Sequence, residues 1–479
     1  MQEVLALDAL DQAALLAGGE LSAEELMAAT LARIEALNGT VNAIVSLRDA
    51  SSLMAEARAA DNALRKGEGK GWMHGLPLAV KDLQDVAGLP TTKGSPLLAG
   101  QKAAADSLLV ARMRATGAII IGKTNTPEFG LGSHTFNPVF GATGNAWEPS
   151  RSAGGSSGGA AVALALGMVS VADGSDMMGS LRNPAGWNHV YGMRPSWGRV
   201  PDGPGEESFL HPIATDGPMA RSPRDLAALL EVQAGPHPAM PFGLPSESYV
   251  DRLAAPVAGR RIGWLRDWGG AYPMEAGVLD TCEAALARWP SAGVWVEGCA
   301  PPMEARSLWW AWCVLRAYAV AGKLGAFYDD EAMRAKLKPA VIWEIELGRE
   351  VTAEDLREAS AIRSRWYAEA AALFRRFDAL ALPTAQVWPF DKRAVHPESI
   401  AGREMDSYHR WMEVVVPASL IGLPVVSLPA GFGPAGVPMG VQIIGPHGGD
   451  AALLQLAQAW HPIRPEADRV PPLLAQAAG

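Results

Sequence analysis

Two serine-rich turns and one lysine are the residues of this chain whose types and spacing could do chemistry. The first turn is Gly-Gly-Ser-Ser-Gly-Gly at 154–159, where glycine lets the backbone take φ > 0 and lie bare against a ligand. The second covers 173–180, with Gly174, Gly179, Ser175 and Ser180. Lys81 closes the apolar run Leu78-Ala79-Val80 and precedes Asp82. A serine hydroxyl is a poor nucleophile until a base within hydrogen-bond reach takes its proton. Lysine can be that base once burial away from counter-charges lowers its pKa. A salt bridge to Asp82 would instead keep Lys81 charged. Spacing alone leaves these two readings level.

The elements that must position these residues are marked by their punctuation. Residues 160–166 are apolar and helix-forming, Gly167 suits a left-handed helix stop, and 168–172 suit a buried strand. Residues 75–82 predict a strand that delivers Lys81 at its carboxyl end. A helix over 107–116, a stop at Gly117 and an apolar strand over 118–122 complete a βαβ crossover, which implies parallel pairing. Ligand sites of open α/β sheets lie outside the carboxyl ends of the strands. Lys81 and Ser180 are thereby expected on one edge.

Elsewhere the chain frames this core. Ser22 and Glu25 have capping-box spacing ahead of Met27, Leu31 and Ile34, and Leu53, Ala57, Ala60 and Leu64 form a second stripe. Residues 41–47 suit a short extended piece, and 130–151 read as a long polar loop. Residues 236–410 alternate helical stretches with Pro- and Gly-broken segments. Strands are expected at 377–383, 423–429 and 438–444, and a closing helix at 450–460. With no repeat or linker, one domain over 1–479 is expected: helical cladding to residue 74, a catalytic core over 75–220, and a pocket region with the rest of the sheet beyond.

Composition narrows the function classes. A chain of 479 residues at 49% hydrophobic can bury a large core. A formal charge of −10 disfavours nucleic acid, which needs clustered Lys and Arg. Cys282, Cys299 and Cys313 are odd in number, lack metal spacing and suit buried thiols in a reducing compartment. The N-terminus has no basic region of the kind a signal peptide carries, and no apolar run reaches the roughly 18 residues of a membrane helix. A cytoplasmic protein with no membrane partner is the expectation.

Two motif readings fail on context. Gly155-Ser-Ser-Gly-Gly159 fits the G-x-S-x-G nucleophile elbow, but the elbow needs a strand before it, and 145–152 carry a proline and no β pattern. A phosphate loop of the G-x-x-x-x-G-K-[ST] form is absent. A flexible linker is excluded by the apolar helix and strand that follow at once.

The motifs GLPLAVKD (75–82), KTNTPEFG (123–130), GGSSGG (154–159) and GSDMMGSLRNPA (174–185) stand in an order and spacing that resemble the amidase signature family. The resemblance continues weakly through FDALALPT (377–384), LPVVSLPAGF (423–432) and PMGVQIIGP (438–446). It implies an α/β fold, a three-layer α/β/α sandwich around a large mixed, mostly parallel sheet. It also implies a Ser-Ser-Lys triad: Ser180 as nucleophile, Ser156 as a bridging serine held by a cis peptide bond, and Lys81 as base. Backbone N–H groups of Met177, Met178, Gly179 and Ser180 would form the oxyanion hole. Asp176, Arg182 and Ser157 would support the site, and neither a metal nor a cofactor is required. His189, the histidine nearest the motif, is expected to be structural or pocket-lining.

The sequence departs from the family pattern where GSDTGGS or GSDIGGS is usual. Met177 and Met178 stand there, and a methionine at φ > 0 would be strained. An ordinary conformation, with both side chains walling an apolar pocket, is the favoured reading. Sixteen tryptophans against ten phenylalanines, with Trp309, Trp310 and Trp312 clustered, fit either helix packing or an aromatic wall. The expected substrate is a hydrophobic aryl or alkyl amide, with esters and carbamates as further candidates. Family branches acting on anilides, nylon oligomers or urethanes are the expected relatives, and a monomer or homodimer the expected state. Two rivals stand: the glutamine-hydrolysing subunit of a tRNA-dependent amidotransferase, and an inactive binding homologue.

Overall fold

The computed structural model describes residues 2–203, 207–210, 213–433 and 435–477. Helices α1 (Ala9–Gly18), α2 (Ala23–Val41) and α3 (Ala50–Arg65) stand near the start of the chain. Ser22 caps α2 through the expected box: its Oγ accepts the Glu25 N–H at 3.1 Å, and the Glu25 carboxylate accepts the Ser22 N–H at 2.9 Å. Asp61 on α3 accepts the next N–H, that of Ala23, at 2.6 Å, so the two helices share one cap. Met27, Ile34, Leu53 and Ala57 are buried between these helices and the sheets.

Strand β1 (Ile44–Val45) runs antiparallel to β3 (Ile119–Thr124), and β2 (Pro77–Lys81) runs parallel to it. Helix α4 (Leu108–Ala115), capped by Ser107, makes the crossover between β2 and β3, as expected. Next come α5 (Gly158–Ala165) and β4 (Val171–Asp176), then α6 (Asn183–Asn188), β5 (Tyr191–Arg194), β6 (Thr215–Ala220), β7 (Arg261–Trp264) and β8 (Trp295–Gly298). Helices α7 (Ala305–Asp329) and α8 (Pro339–Glu350) are followed by β9 (Ala379–Pro383), β10 (Val425–Phe432), β11 (Pro438–Ile444) and α9 (Asp450–Trp460).

Eight of these strands form the main sheet, in the order β8-β7-β9-β11-β10-β5-β6-β4. The α/β architecture around one large mixed sheet is the expected one. Its parallel share is smaller than expected, because parallel pairing is confined to β8–β7 and β7–β9. The remaining ladders are antiparallel. Chain connectivity gives the reason: β10 and β11 are joined over residues 433–437, too short for a parallel crossover.

Two further corrections bear on the site. The strand expected at 168–172 lies instead at Val171–Asp176, inside the stretch expected to be a polar turn. Gly167 does stop α5, at φ +62°, but the chain turns again before Val171. The polar residues Asp173, Ser175 and Asp176 then pair with Pro218, Asp216 and Thr215 of β6. The strand is not part of the β2–β3 sheet; β4 ends the main sheet, and β2 reaches it through a side chain. The Lys81 N–H donates to the Asp173 carboxylate, at 3.1 Å to Oδ1. Among the described residues, no helix is long and apolar enough to cross a membrane.

Candidate active site

Strand β2 carries Lys81 into the interior, where it is 1% exposed. Its Nζ lies 2.8 Å from Ser156 Oγ, 2.8 Å from Ser157 Oγ and 2.9 Å from Ser175 Oγ. The competing salt bridge to Asp82 is not formed. Asp82 turns to Lys123, at 3.6 Å, and to Thr92. Burial pushes the Lys81 ammonium down to about 7, against the pull of Asp216, Asp173 and Asp176. Two of those acids are themselves weak counter-charges. Burial raises Asp173 to about 6 and Asp216 well above the carboxylate range. A neutral lysine can donate two hydrogen bonds and accept one, whereas an ammonium can only donate. Three hydroxyl neighbours suit either state without forcing the charge.

The first serine turn is fixed by the loop before it. Gly154 sits at φ +74°, and the Gly155–Ser156 peptide is cis. Thr135, from the long polar loop, grips both sides of this turn: its Oγ1 donates to the Gly154 carbonyl at 2.8 Å and accepts the Gly158 N–H at 3.2 Å. No side chain fits at Gly159, where a Cβ would lie 2.4 Å from the Asn125 nitrogen. The Ser157 N–H donates to the Ser180 carbonyl at 3.3 Å, so the backbone ties the two serine turns together. The turn 154–159 follows loop rather than strand, in agreement with the rejection of the nucleophile elbow.

The second turn is built around Asp176. Its Oδ1 accepts the Gly179 N–H at 2.9 Å and its Oδ2 the Leu181 N–H at 3.0 Å. Arg182 binds the same carboxylate through Nε at 3.0 Å and Nη2 at 2.9 Å, and Arg194 of β5 approaches Oδ1 at 3.2 Å. Burial would raise the Asp176 carboxyl, but the two guanidiniums outweigh it and hold it well below its usual range. Gln442 and Ser419 complete the shell of Arg182, at 2.7 and 2.6 Å.

One expected role needs correction. The Gly179 N–H is engaged by Asp176, so Met177, Met178 and Ser180 are left as the N–H groups that could face an oxyanion. The left-handed residue of the turn is Gly179, at φ +80°, and neither methionine takes a positive φ. Met178 is buried in the main core, with Met177 half-buried beside it.

Sequence reasoning placed Ser175 in the second turn without giving it a role, and missed Asp173, Asp216 and Arg194 as parts of the site. Only the first carries a local signal, its place two residues before the cluster Met177-Met178 in the GSD motif; the others depend on strand register. His189 caps α6 in a left-handed conformation with its ring between Trp147 and Phe432. That is a structural place. Trp312 and Trp309 are buried in the core, and Trp310 is exposed. Packing of α7 therefore accounts for the buried pair.

Fold and site define an α/β protein with a buried lysine among hydroxyls beside an Arg-braced serine turn. A model of the amidase family matches residues 25–454, and the chain belongs to that family of amide-hydrolysing enzymes. It is similar to the acylamidase of Rhodococcus erythropolis, 32% identical over 472 residues that cover 97% of each chain. It is 36% identical over 470 residues to the A subunit of the glutamyl-tRNA(Gln) amidotransferase of Thermus thermophilus, covering 93% of this chain and 94% of that one. The crystal structure of a bacterial aryl acylamidase of the amidase signature family superposes with a TM-score of 0.91 at 28% identity. That match covers 99% of this chain and 98% of the other.

Proposed function

We propose that this chain hydrolyses the C–N bond of hydrophobic aryl or alkyl amides through a relay of Lys81, Ser156 and Ser180. Esters and carbamates, whose carbonyls pass through the same tetrahedral geometry, are further candidate substrates. The carrying observation is the 2.8 Å contact between Lys81 Nζ and Ser156 Oγ, made where burial holds the lysine near neutrality. Neutral Lys81 accepts the Ser156 proton while Ser156 accepts that of Ser180, and Ser180 Oγ attacks the carbonyl carbon. Backbone N–H groups of Met177, Met178 and Ser180 stabilise the oxyanion, each worth roughly 3–4 kcal/mol where such donors have been removed. The relay then returns a proton to the leaving amine, and water releases the acyl group. Ser157 and Ser175 orient the lysine, while Asp176 and Arg182 hold the turn.

The test is labelling by a fluorophosphonate together with a screen of anilides. Ser180→Ala should lose the label, and Lys81→Ala and Ser156→Ala should each lower kcat/KM by several orders of magnitude. Near-normal turnover by any of the three rejects the relay. Ser157→Ala should be milder, which separates the relay from an elbow nucleophile.

The identity to an amidotransferase subunit supports a second reading, glutamine hydrolysis with ammonia passed to a partner. Glutaminase activity of the purified chain, without anilide hydrolysis, would select it. An inactive binding homologue would show neither activity nor label.

A further inference from the structure

The Ser180 turn touches a buried polar cluster that the relay does not use. Arg316, on α7, is 3% exposed, and its Nε donates to Glu344 of α8 at 2.6 Å. Its Nη2 donates to the Tyr408 hydroxyl at 2.7 Å, and that hydroxyl donates to the same Glu344 oxygen at 2.5 Å. Its Nη1 is turned to the sulfur of Met177, at 3.4 Å. Burial works against the guanidinium charge, yet Glu344 and Tyr408 outweigh it, and Arg316 stays protonated.

These contacts are unequal. Two donor groups meet oxygens, whereas Nη1 meets a thioether, a weak acceptor. A charged donor is served far better by a carboxylate or carbonyl oxygen, and the rigid guanidinium fork fixes the direction in which Nη1 points. A second segment also joins this cluster to the relay. A Cβ on Gly130 would lie 3.7 Å from Ser156 Oγ, and one on Gly132 would lie 3.6 Å from the Tyr408 ring. Lys338 Nζ donates to the carbonyl of the residue between them, Leu131, at 2.7 Å. The cluster therefore borders the site from both the Met177 turn and the 130–132 segment.

We infer that Arg316 is a specificity residue of the amidase site, whose Nη1 binds an acceptor oxygen, a carboxylate or a second carbonyl, carried by the substrate away from the scissile bond. The inference rests on the amide-hydrolase reading and narrows it, from hydrophobic amides at large to amides with an apolar chain and a polar far end. Met177, unbranched and polarizable, is the neighbour that can shift to admit that oxygen.

The experiment compares monoanilides of dicarboxylic acids, succinic to suberic, and their terminal carboxamides with fatty anilides of equal chain length. At the chain length that reaches Nη1, wild-type kcat/KM should favour the acceptor-bearing anilide about tenfold or more, as a charge-assisted hydrogen bond allows. Arg316→Gln should collapse that ratio toward one. The pair Arg316→Met with Glu344→Gln, which leaves no buried carboxylate without its partner, should do the same. An unchanged ratio, or an equal fall on both series, overturns the inference and leaves Arg316 as a brace for the turn. Absence of any wild-type preference at every length overturns it without recourse to the variants. No hydrolysis of either series and no fluorophosphonate label on Ser180 would overturn the underlying amide-hydrolase reading, and this inference with it.

Discussion

Lys81 has hydroxyl oxygens rather than carboxylates as its nearest side-chain partners, and burial depresses its pKa against the pull of Asp216, Asp173 and Asp176. The folded protein releases this proton near pH 7, the unfolded chain near 10.5. Two outcomes follow with opposite readouts. For catalysis the neutral form is the active one, so kcat/KM should rise through about pH 7 and level on the alkaline side. An optimum near pH 5 would be incompatible with Lys81 as base. For stability, the unfolded state binds the extra proton between the two pKa values, so folding is penalised most below pH 7, and the penalty fades as pH rises toward 10.5. Lys81→Met removes that penalty and adds a constant cost for hydroxyls left without their partner. The stability of the variant relative to wild type should therefore fall by on the order of 3 kcal/mol between pH 7 and pH 9.5, measured by urea unfolding. A difference independent of pH would place the lysine's folded-state pKa near its ordinary value.

The turn from Asp176 to Arg182 works as one element because a single buried carboxylate receives two backbone N–H groups and two guanidiniums. Asp176→Asn keeps the shape and removes the charge between Arg182 and Arg194, both fully buried. Breaking a buried pair on one side costs about 3–5 kcal/mol. Because the folded pKa of Asp176 is depressed, its contribution is present above the unfolded value of 3.8 and is lost as pH falls below it. The gap between wild type and variant in urea unfolding should be wide at pH 7 and close in acid. A gap of similar size at pH 7 and pH 3 would mean that the cost comes from the N–H groups an amide cannot accept rather than from the carboxylate charge. This element also shows how far the sequence can be read. Largely apolar segments, such as α9 and β11, lie where the sequence pattern put them. The elements β5, β7 and β8 are short, and β4 is polar over half its length, because Asp173, Ser175 and Asp176 take partners from other strands. Alternation cannot reveal a strand whose polar residues are satisfied inside the fold. Likewise Lys81 and Ser156 stand in legible motifs, whereas Arg194 and Asp216 reach the site only through antiparallel registers that no local pattern encodes.

At the scale of the molecule, the chain's late segments must be fastened to the early ones for the edge strands to hold their positions. Asp450, at the start of α9, is buried beside Ser196 and Arg199, about 250 residues earlier. Its Oδ1 accepts the Ser196 N–H at 2.8 Å, and its Oδ2 accepts the Ser196 hydroxyl at 2.7 Å. Arg199 approaches Oδ2 at 3.2 Å and also pairs with Glu247 at 2.6 Å. Ser196 follows β5, the strand that carries Arg194 to Asp176, so this lock lies in series with the turn of Ser180. Asp450→Ala would leave a buried hydroxyl, a backbone N–H and a guanidinium without their acceptor. Arg199 would keep Glu247, which argues for the lower end of the buried-pair range, about 3 kcal/mol. Glu247→Gln touches a side chain 26% exposed and should cost no more than about 1 kcal/mol. Urea midpoints of the two variants, read by tryptophan fluorescence, check the ordering. Asp450 forms none of the Lys81 contacts, so below the transition Asp450→Ala should keep the pH at which kcat/KM rises. If that pH shifts with the midpoint, strain from the lock reaches Lys81 itself, and the separation between fastening and chemistry is wrong.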